Sequence, residues 1–366
     1  MTRKHQIYSP IANDQLKEPM FFGSPVNVAR FDQQKYNIFE KLTERQNSLF
    51  WRETEIDVTQ DKHDFANLPD NEQHIFTANI RYQILLDSVQ GRGPVEVLLP
   101  ICSLPEVEGF ILAWSYFESI HSRGYSHLIR NVYNNPSEVF DNIVLNPEIA
   151  KRAKAVTDLY DNLIVVTQKW REGQTTLRDA QKALLLCLAS INILEGVRFF
   201  VSFACSFAFA ERRVMMGNAS IIKMIARDES VHLSATQHMF KLFRSGAEGE
   251  ELKTLFEELT PEIRQITIEA AEQEKEWTEY LFQDGSMIGL NKKILDQYVE
   301  HITDQRLMAI GLAPEFGNPK NPIPWINTWL SSSSVQVAPQ ETEITSYLTS
   351  AVDSTINEDD FSDMEL

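Results

Sequence analysis

The chain has 366 residues, a formal net charge of −18 at pH 7 and a hydrophobic content of 43%. This excess of negative charge argues against a nucleic-acid partner, because binding to the phosphate backbone requires a basic face. The first ten residues lack the apolar stretch of an export signal, and the three cysteines show no C-x-x-C spacing. We therefore predict a cytoplasmic protein with reduced thiols.

The N-terminal residues 1–30 contain several prolines and scattered apolar residues, and we expect them to form an arm that runs over the surface. A helical pattern over residues 33–50 follows and leads to Trp51, for which packing in the core is the simplest interpretation. Helix formers dominate from there on, while proline and glycine are sparse. Residues 31–330 are accordingly predicted to form one all-α domain.

The next predicted helix, over residues 68–91, carries an isolated carboxylate. Phe76, Ile80 and Ile84 mark an apolar stripe at i, i+4 and i+8, and Asp87 falls on the same stripe. Burying a bare carboxylate costs several kcal/mol unless it is paired or bound to a metal. Asp87 is therefore either a hydrated residue near the helix end or a buried metal ligand.

A Glu-x-x-His pair occurs twice in the sequence, at Glu118 and His121 and again at Glu229 and His232. In a helix, Glu118, His121 and Tyr125 stand at i, i+3 and i+7 and share one face. A single pair of this kind is common on ordinary helices. Two pairs together with one carboxylate from each of two further helices are the ligand set of a di-iron or di-manganese site in a four-helix bundle.

The segment between the two pairs is unusually apolar. Over residues 183–210 the only charged side chains are Glu195 and Arg198. A membrane span needs about 20 apolar residues, and these charges divide the segment into halves that are too short. We therefore predict a buried central helix and no membrane association. Phe199 and Phe203, at i+4 and i+8 from Glu195, are core residues that would also form a dry pocket.

The second pair lies in a helical segment in which Ile225, Glu229 and His232 share one face. Asp228 faces about 100° away from Glu229, so it is better placed to accept a hydrogen bond from a ligand imidazole. A solvated side chain beside Arg227 is the other interpretation of Asp228.

Four carboxylates and two imidazoles suit two iron or manganese ions with open positions for dioxygen. Tyr125 is then the nearest oxidisable group, one helical turn beyond His121. If Phe199, Phe203 and Ile225 surround it, its phenol is dry and shielded. The pattern thus predicts a site that oxidises its own tyrosine and protects the radical.

The C-terminal residues 331–366 are acidic, and no Lys or Arg follows Lys320. Such a segment is poor in core-forming residues and is predicted to be a flexible tail. The acidic tail also contains the apolar residues Tyr347, Phe361 and Leu366. Apolar residues at such positions suggest a segment that folds into a groove of a partner.

With these features the chain resembles the small, radical-generating beta subunit of class Ia ribonucleotide reductases, the aerobic type of enteric bacteria and their phages. The resemblance runs almost end to end, through the segments NDQLKEPMFF (13–22), SFACSFAFAE (202–211), DGSMIGL (284–290) and VAPQ (337–340). It implies a ferritin-like helical bundle that forms a homodimer, holds two iron ions per subunit and works with a large subunit that binds the ribonucleotide. Manganese suits the same ligands.

The resemblance also implies roles for particular residues. Tyr125 would carry the radical, Trp51 with Asp228 would pass the oxidising equivalent onward, and Tyr347 would hand it across to the large subunit. Glu341, also in the tail, would assist in this transfer step. The last residues to Leu366 would dock the tail on the large subunit. The implied metal ligands are Asp87, Glu118, His121, Glu195, Glu229 and His232.

Two other functions use the same ligands. A ferritin-like ferroxidase would store or oxidise iron without exporting a radical, and an acyl desaturase or di-iron hydroxylase would need a substrate channel where Phe199, Phe203 and Ile225 stand. An acidic tail with aromatic residues and Tyr125 on the ligand face favour the reductase subunit over both.

Overall fold

The computed structural model describes residues 7–8 and 13–331, and within these ranges the chain is a bundle of helices without a β-strand. The predicted all-α fold is confirmed. The tail residues Glu341, Tyr347 and Leu366 lie outside the described residues. The helices are α1 (Asn37–Ser48), α2 (Thr59–Asn67), α3 (Asp70–Gln90), α4 (Gly93–Val97), α5 (Pro105–Val132), α6 (Pro136–Asp141), α7 (Pro147–Glu172), α8 (Leu177–Ile193), α9 (Phe199–Glu211), α10 (Met216–Ser245), α11 (Glu250–Leu281), α12 (Lys292–Ala309) and α13 (Ile326–Leu330).

The centre of the bundle is the long apolar run from α8 to α9. Thr176 caps the start of α8 with a capping box. Its hydroxyl accepts a hydrogen bond from the backbone N–H of Asp179, and the Asp179 carboxylate accepts one from the backbone N–H of Thr176. The run Leu177–Glu211 is long and apolar enough to cross a membrane, since an 18-residue window within it has a mean hydropathy of 1.9, yet that window is 100% buried inside the bundle. The run is therefore a buried core helix, as the two charged residues that divide it led us to predict.

A π-helical segment, Leu194–Arg198, joins α8 to α9. Its backbone is held from outside, since Arg306 Nε on α12 donates to the Gly196 carbonyl at 3.0 Å. A Cβ at Gly196 would lie 3.0 Å from both the Arg306 and the Leu233 side chains, so glycine permits this close packing. Segments of this kind are frequent at functional sites, and this one carries Glu195.

Three helices, α3, α5 and α10, and the π-helical segment carry the side chains of the predicted site. Helix α3 packs against α5 and α9, while α10 packs against α5, α9 and the π-helical segment. Helix α5 begins with Pro105 at its first position, and α10 ends at Gly246 in the left-handed conformation, as helix termini favour. The two Glu-x-x-His pairs and the two isolated carboxylates are thus brought to one interior region.

The described part of the N-terminal arm is attached to the bundle. Met20 and Phe21 are buried, and the Ser103 backbone N–H donates to the Met20 carbonyl at 3.0 Å. Phe22 adopts a positive φ of 66° directly after these two residues. The arm therefore contributes two side chains to the core between its exposed stretches.

Candidate metal centre

Six side chains from α3, α5, the π-helical segment and α10 converge inside the bundle. They form two groups of four, and in each group the potential ligand atoms lie within 4.8 Å of one another. All six are at most 1% exposed. The first group is Asp87, Glu118, His121 and Glu229, and the second is Glu118, Glu195, Glu229 and His232.

The two groups share Glu118 and Glu229, and each shared carboxylate turns one oxygen to each histidine. His121 Nδ1 lies 3.3 Å from Glu118 Oε2 and 3.2 Å from Glu229 Oε1. His232 Nδ1 lies 3.2 Å from Glu118 Oε1 and 3.1 Å from Glu229 Oε2. This arrangement defines two adjacent positions bridged by two carboxylates, which is the geometry of a dinuclear site.

The electrostatics of the cluster call for cations. Burial raises the pKa of Glu229 to about 8, and the charge of Glu118 adds to the shift. Burial likewise raises the pKa values of Asp87 and Glu195 well above the ordinary range. Burial acts in the same direction on Glu118, but hydrogen bonds from His121 and His232 lower its pKa to about 2. Crowded buried carboxylates of this kind are costly unless they are compensated.

Among the described residues, hydrogen bonding also leaves several ligand atoms of the cluster unpaired. Several carboxylate oxygens of the cluster have no hydrogen-bond donor within the described part of the chain. Two divalent cations would balance the four carboxylates, and oxygen and imidazole ligands suit iron and manganese. The residues present therefore fit a dinuclear metal site. The orphaned oxygens are Asp87 Oδ1 and Oδ2, Glu118 Oε2, Glu195 Oε2 and Glu229 Oε1.

Tyr125 lies on α5 one turn after His121 and is fully buried. Its hydroxyl makes no hydrogen bond of regular geometry among the described residues, but the carboxylates of Asp87 and Glu229 are close enough to act on it. Burial raises the pKa of Tyr125 well above its usual value, and the two carboxylates add to the shift. The phenol is therefore neutral, dry and beside the cluster.

Phe199, Phe203 and Ile225 are all fully buried in the same core as Tyr125. The rings of Phe199 and Phe203 stack with centroids 5.8 Å apart and planes 11° apart. Ile225 precedes Glu229 by one turn of α10. These positions provide apolar surroundings for the cluster, and direct shielding of Tyr125 by the three side chains stays a prediction.

A hydrogen-bonded chain leaves the cluster through Asp228. Trp51 Nε1 donates to Asp228 Oδ2 at 2.8 Å, and the same oxygen lies 3.2 Å from His121 Nε2. The guanidinium of Arg227 contacts the other oxygen, Oδ1, at 3.3 Å. Because Asp228 is fully buried, the alternative of a solvated side chain is wrong.

The indole of Trp51 is held close to this chain by α5. Its ring stacks on the His121 ring with centroids 6.4 Å apart. A Cβ at Gly124 would lie 3.0 Å from Trp51 Cη2 and 3.2 Å from the Ile221 side chain. Glycine beside Tyr125 therefore allows the indole to approach α5, and Trp51 is both a core residue and a contact of the cluster.

Two residues that touch the cluster were not singled out from the sequence. Trp114 Nε1 donates to Glu118 Oε1 at 3.0 Å, and its ring stacks on His232 with centroids 5.2 Å apart. Gln90 donates to Glu195. Trp114 precedes Glu118 by four residues, and Gln90 follows Asp87 by three, so helical spacing alone could have placed each near a ligand.

Known proteins match almost the whole chain. The family described as "Ribonucleotide reductase, small chain" matches residues 29–322. The subunit beta of ribonucleoside-diphosphate reductase 1 from Escherichia coli O157:H7 is 56% identical, covering 98% of this chain and 99% of that protein. The subunit beta from Enterobacteria phage T4 is 42% identical, covering 94% of this chain and 95% of that protein.

Solved structures share the fold. The R2 subunit of ribonucleotide reductase from Clostridium botulinum superposes with a TM-score of 0.77 at 24% identity, covering 90% of this chain and 98% of that one. The dimanganese(II) protein NrdF of Streptococcus sanguinis gives a TM-score of 0.69 at 21% identity, covering 83% of this chain and 99% of that one. The chain therefore belongs to the ribonucleotide reductase small-chain family, and it is the beta subunit of a ribonucleoside-diphosphate reductase that acts with a large subunit.

Proposed function

We propose that this subunit holds two iron ions on Asp87, Glu118, His121, Glu195, Glu229 and His232 and stores a tyrosyl radical at Tyr125. The observation that carries the proposal is the pair of shared carboxylates, each with one oxygen directed to each histidine. Manganese is the second candidate, because the same hard ligands accept it. When bound, the metal pair supplies, with dioxygen, the oxidising power to remove one electron from a phenol.

The protein's own residues prepare that phenol. Tyr125 gives up one electron together with its hydroxyl proton, and the Asp87 carboxylate is the neighbouring base for the proton. The apolar core around Phe199, Phe203 and Ile225 keeps water from the ring. A neutral radical in such surroundings is separated from water and from reductants in solution.

The oxidising equivalent then leaves through residues that are already in contact. The proposed path on this subunit runs from the cluster through His121 and Asp228 to Trp51, which are joined at 3.2 Å and 2.8 Å. Tyr347 and Glu341 continue it in the tail. We assign residues 331–366 as the tail that docks on the large subunit, residues 31–330 as the helical domain and residues 1–30 as the arm.

A second copy of this chain is the proposed occupant of the outer face of α5. Leu112 and Tyr116, one helical turn apart, are 50% and 51% exposed, and Phe31 beside this helix is 47% exposed. The Tyr116 ring stacks on Phe50 with centroids 6.4 Å apart, so the patch continues onto the neighbouring segment. An exposed apolar face of this kind supports a homodimer.

Ferroxidase, hydroxylase and desaturase activities are not favoured. The family match and the high identity to beta subunits extend over almost the whole chain. The pocket that a hydroxylase or desaturase would need for its substrate falls at Phe199, Phe203 and Ile225, and these side chains are fully buried in the packed core.

Loading the site with manganese(II) is expected to stabilise the protein. An ion that binds only the folded state at 100 times its Kd adds about 2.7 kcal/mol per site, so Tm should rise with two bound equivalents. Glu118→Gln should lose most of this gain, because Glu118 contributes to both metal positions. Differential scanning calorimetry with and without the ion measures the effect.

Glu274→Gln provides the matched control for this experiment. Glu274 is also a fully buried carboxylate, but it binds Tyr82 and Arg198 instead of the cluster. We expect the control to be less stable than the natural protein and to gain the same increment from manganese(II). An equal gain in Glu118→Gln would contradict the ligand assignment.

Tyr347→Phe is expected to leave the Tyr125 radical intact and to abolish turnover. Phenylalanine keeps the aromatic ring for docking but has no hydroxyl hydrogen to give up in a proton-coupled transfer. Electron paramagnetic resonance measures the radical, and deoxyribonucleotide formation with the purified large subunit measures turnover. The variant in excess should also inhibit the natural subunit by competition, which shows that docking persists. An unimpaired rate would rule out the relay role.

A further inference from the structure

A second hydrogen-bonded chain reaches the metal cluster at Glu195. Tyr160 on α7 donates its hydroxyl to Gln90 Oε1 on α3 at 2.5 Å. Gln90 Nε2 in turn donates to Glu195 Oε1 on the π-helical segment. Gln90 and Glu195 are fully buried, and Tyr160 is only 4% exposed. Nothing in the proposed radical chemistry uses Tyr160 or Gln90.

The orientation of the Gln90 amide sets the direction of both hydrogen bonds in this chain. Burial raises the pKa of Tyr160 well above its usual value, so the phenol keeps its proton, which is directed to Gln90 Oε1. An amide has one acceptor end and one donor end, and the acceptor end is thereby committed to Tyr160. The Gln90 amide group therefore presents its N–H to Glu195 Oε1.

The chain leaves Glu195 with one oxygen for the cluster. Oε1 is bound by Gln90, whereas Oε2 has no hydrogen-bond donor among the described residues and lies 3.8 Å from His232 Nδ1. Asp87, which occupies the corresponding place at the other metal position, has both oxygens free of donors within the described part of the chain. The two metal positions are thus supported differently.

The packing around Tyr160 fits a specific placement of its ring. A Cβ at Gly93, the first residue of α4, would lie 2.5 Å from Tyr160 Cζ and 2.9 Å from its hydroxyl oxygen. The absence of a side chain at Gly93 therefore creates the space in which the phenol reaches Gln90. The contact of α4 with α7 holds the ring in this place.

We infer that Gln90 and Tyr160 are positioning residues that hold Glu195 with a single oxygen directed at the second metal position. This inference rests on the proposed role of Glu195 as a metal ligand. Without Gln90, both oxygens of Glu195 become available to the cluster, and the number of ligand atoms at that position changes. Partners that orient a ligand in this way typically contribute 10- to 100-fold in metal affinity.

Cobalt(II) tests this inference because its visible absorption responds to coordination number and geometry. Gln90→Leu removes the donor at similar size, and Tyr160→Phe removes only the hydroxyl. We expect Gln90→Leu to change the cobalt(II) spectrum and to weaken binding at one of the two positions by roughly 10-fold. Tyr160→Phe should change both in the same direction by less, and the double variant should match Gln90→Leu because Tyr160 acts only through Gln90.

Tyr133→Phe is the matched control. Its hydroxyl pairs with the Thr77 hydroxyl at 2.6 Å, so it also removes one hydrogen bond of a largely buried tyrosine away from the cluster. The control should lose some thermal stability and keep the natural spectrum. Should Gln90→Leu fail to fold by circular dichroism, Tyr160→Phe carries the test alone.

Three results would overturn the inference. The first is an unchanged spectrum and affinity in folded Gln90→Leu or, where that variant fails, in Tyr160→Phe. The second is a change in Tyr133→Phe as large as that in Tyr160→Phe, which would mean a general packing effect. The third is full additivity in the double variant. A natural protein that fails to bind two cobalt(II) ions would instead remove the proposed metal site itself, so the two failures are distinguishable.

Discussion

Tyr125→Phe is expected to keep the fold and the metal site and to abolish ribonucleotide reduction. The phenol is fully buried beside the Asp87 carboxylate, so phenylalanine keeps the packing of the ring and removes one polar contact. Unfolding free energy and metal content should therefore stay close to those of the natural protein. After reconstitution with ferrous iron and air, the tyrosyl doublet seen by electron paramagnetic resonance should be absent, and no deoxyribonucleotide should form with the large subunit.

Tyr298→Phe is the matched control for this experiment. Tyr298 is a fully buried tyrosine on α12, outside the metal cluster, and burial raises its pKa as it does that of Tyr125. The control should retain both the doublet and turnover. Turnover by Tyr125→Phe at the natural rate would refute the radical role, and a doublet that persists in it would place the radical on another residue.

The second large effect is expected at Trp51. Trp51→Phe removes the indole N–H that donates to Asp228 and shortens the ring that stacks on His121. Loss of one buried hydrogen bond and of part of an aromatic side chain costs about 1 to 3 kcal/mol. The metal site and the Tyr125 radical should survive, because neither depends on the indole as a ligand. Turnover with the large subunit should fall to background, since the path from the cluster is broken.

The control for Trp51 is Trp277→Phe, which has a comparable structural cost. Trp277 is fully buried, and its indole donates to Asn79 Oδ1 at 3.1 Å, away from the cluster. We expect similar destabilisation with normal turnover per folded subunit. Equal turnover in the Trp51 and Trp277 variants would show that Trp51 is only a packing residue.

Much of the cluster was predictable because charge is rare in an apolar helix. Asp87 and Glu195 stood out as carboxylates on apolar stripes, where an unpaired charge is costly. The structure places both within the same cluster as the two Glu-x-x-His pairs, although these lie on helices far apart in the chain. Local helical spacing indicated the pairs, and the cost of burial indicated the two isolated carboxylates.

Other features depended on packing between helices and had no local signal. Tyr160 reaches Gln90 because α7 lies against α3 and α4, a contact that the periodicity of α7 does not encode. The π-helical segment was also not predicted, since the expected face of Glu195 and Phe199 assumed an α-helix throughout. The burial of Met20 and Phe21 likewise depends on the shape of the bundle beneath the arm.

The shared carboxylates have a consequence for how such a site can change during evolution. Glu118 and Glu229 each belong to both proposed metal positions, so the loss of either one would remove a ligand from both positions at once. Asp87 and Glu195 each serve one position. A single substitution at Asp87 or Glu195 would change the ligands of one metal position and leave the other intact. Evolution could in this way produce a site with one metal ion or with two unlike ions. A change at Glu118 or Glu229 offers no such gradual route.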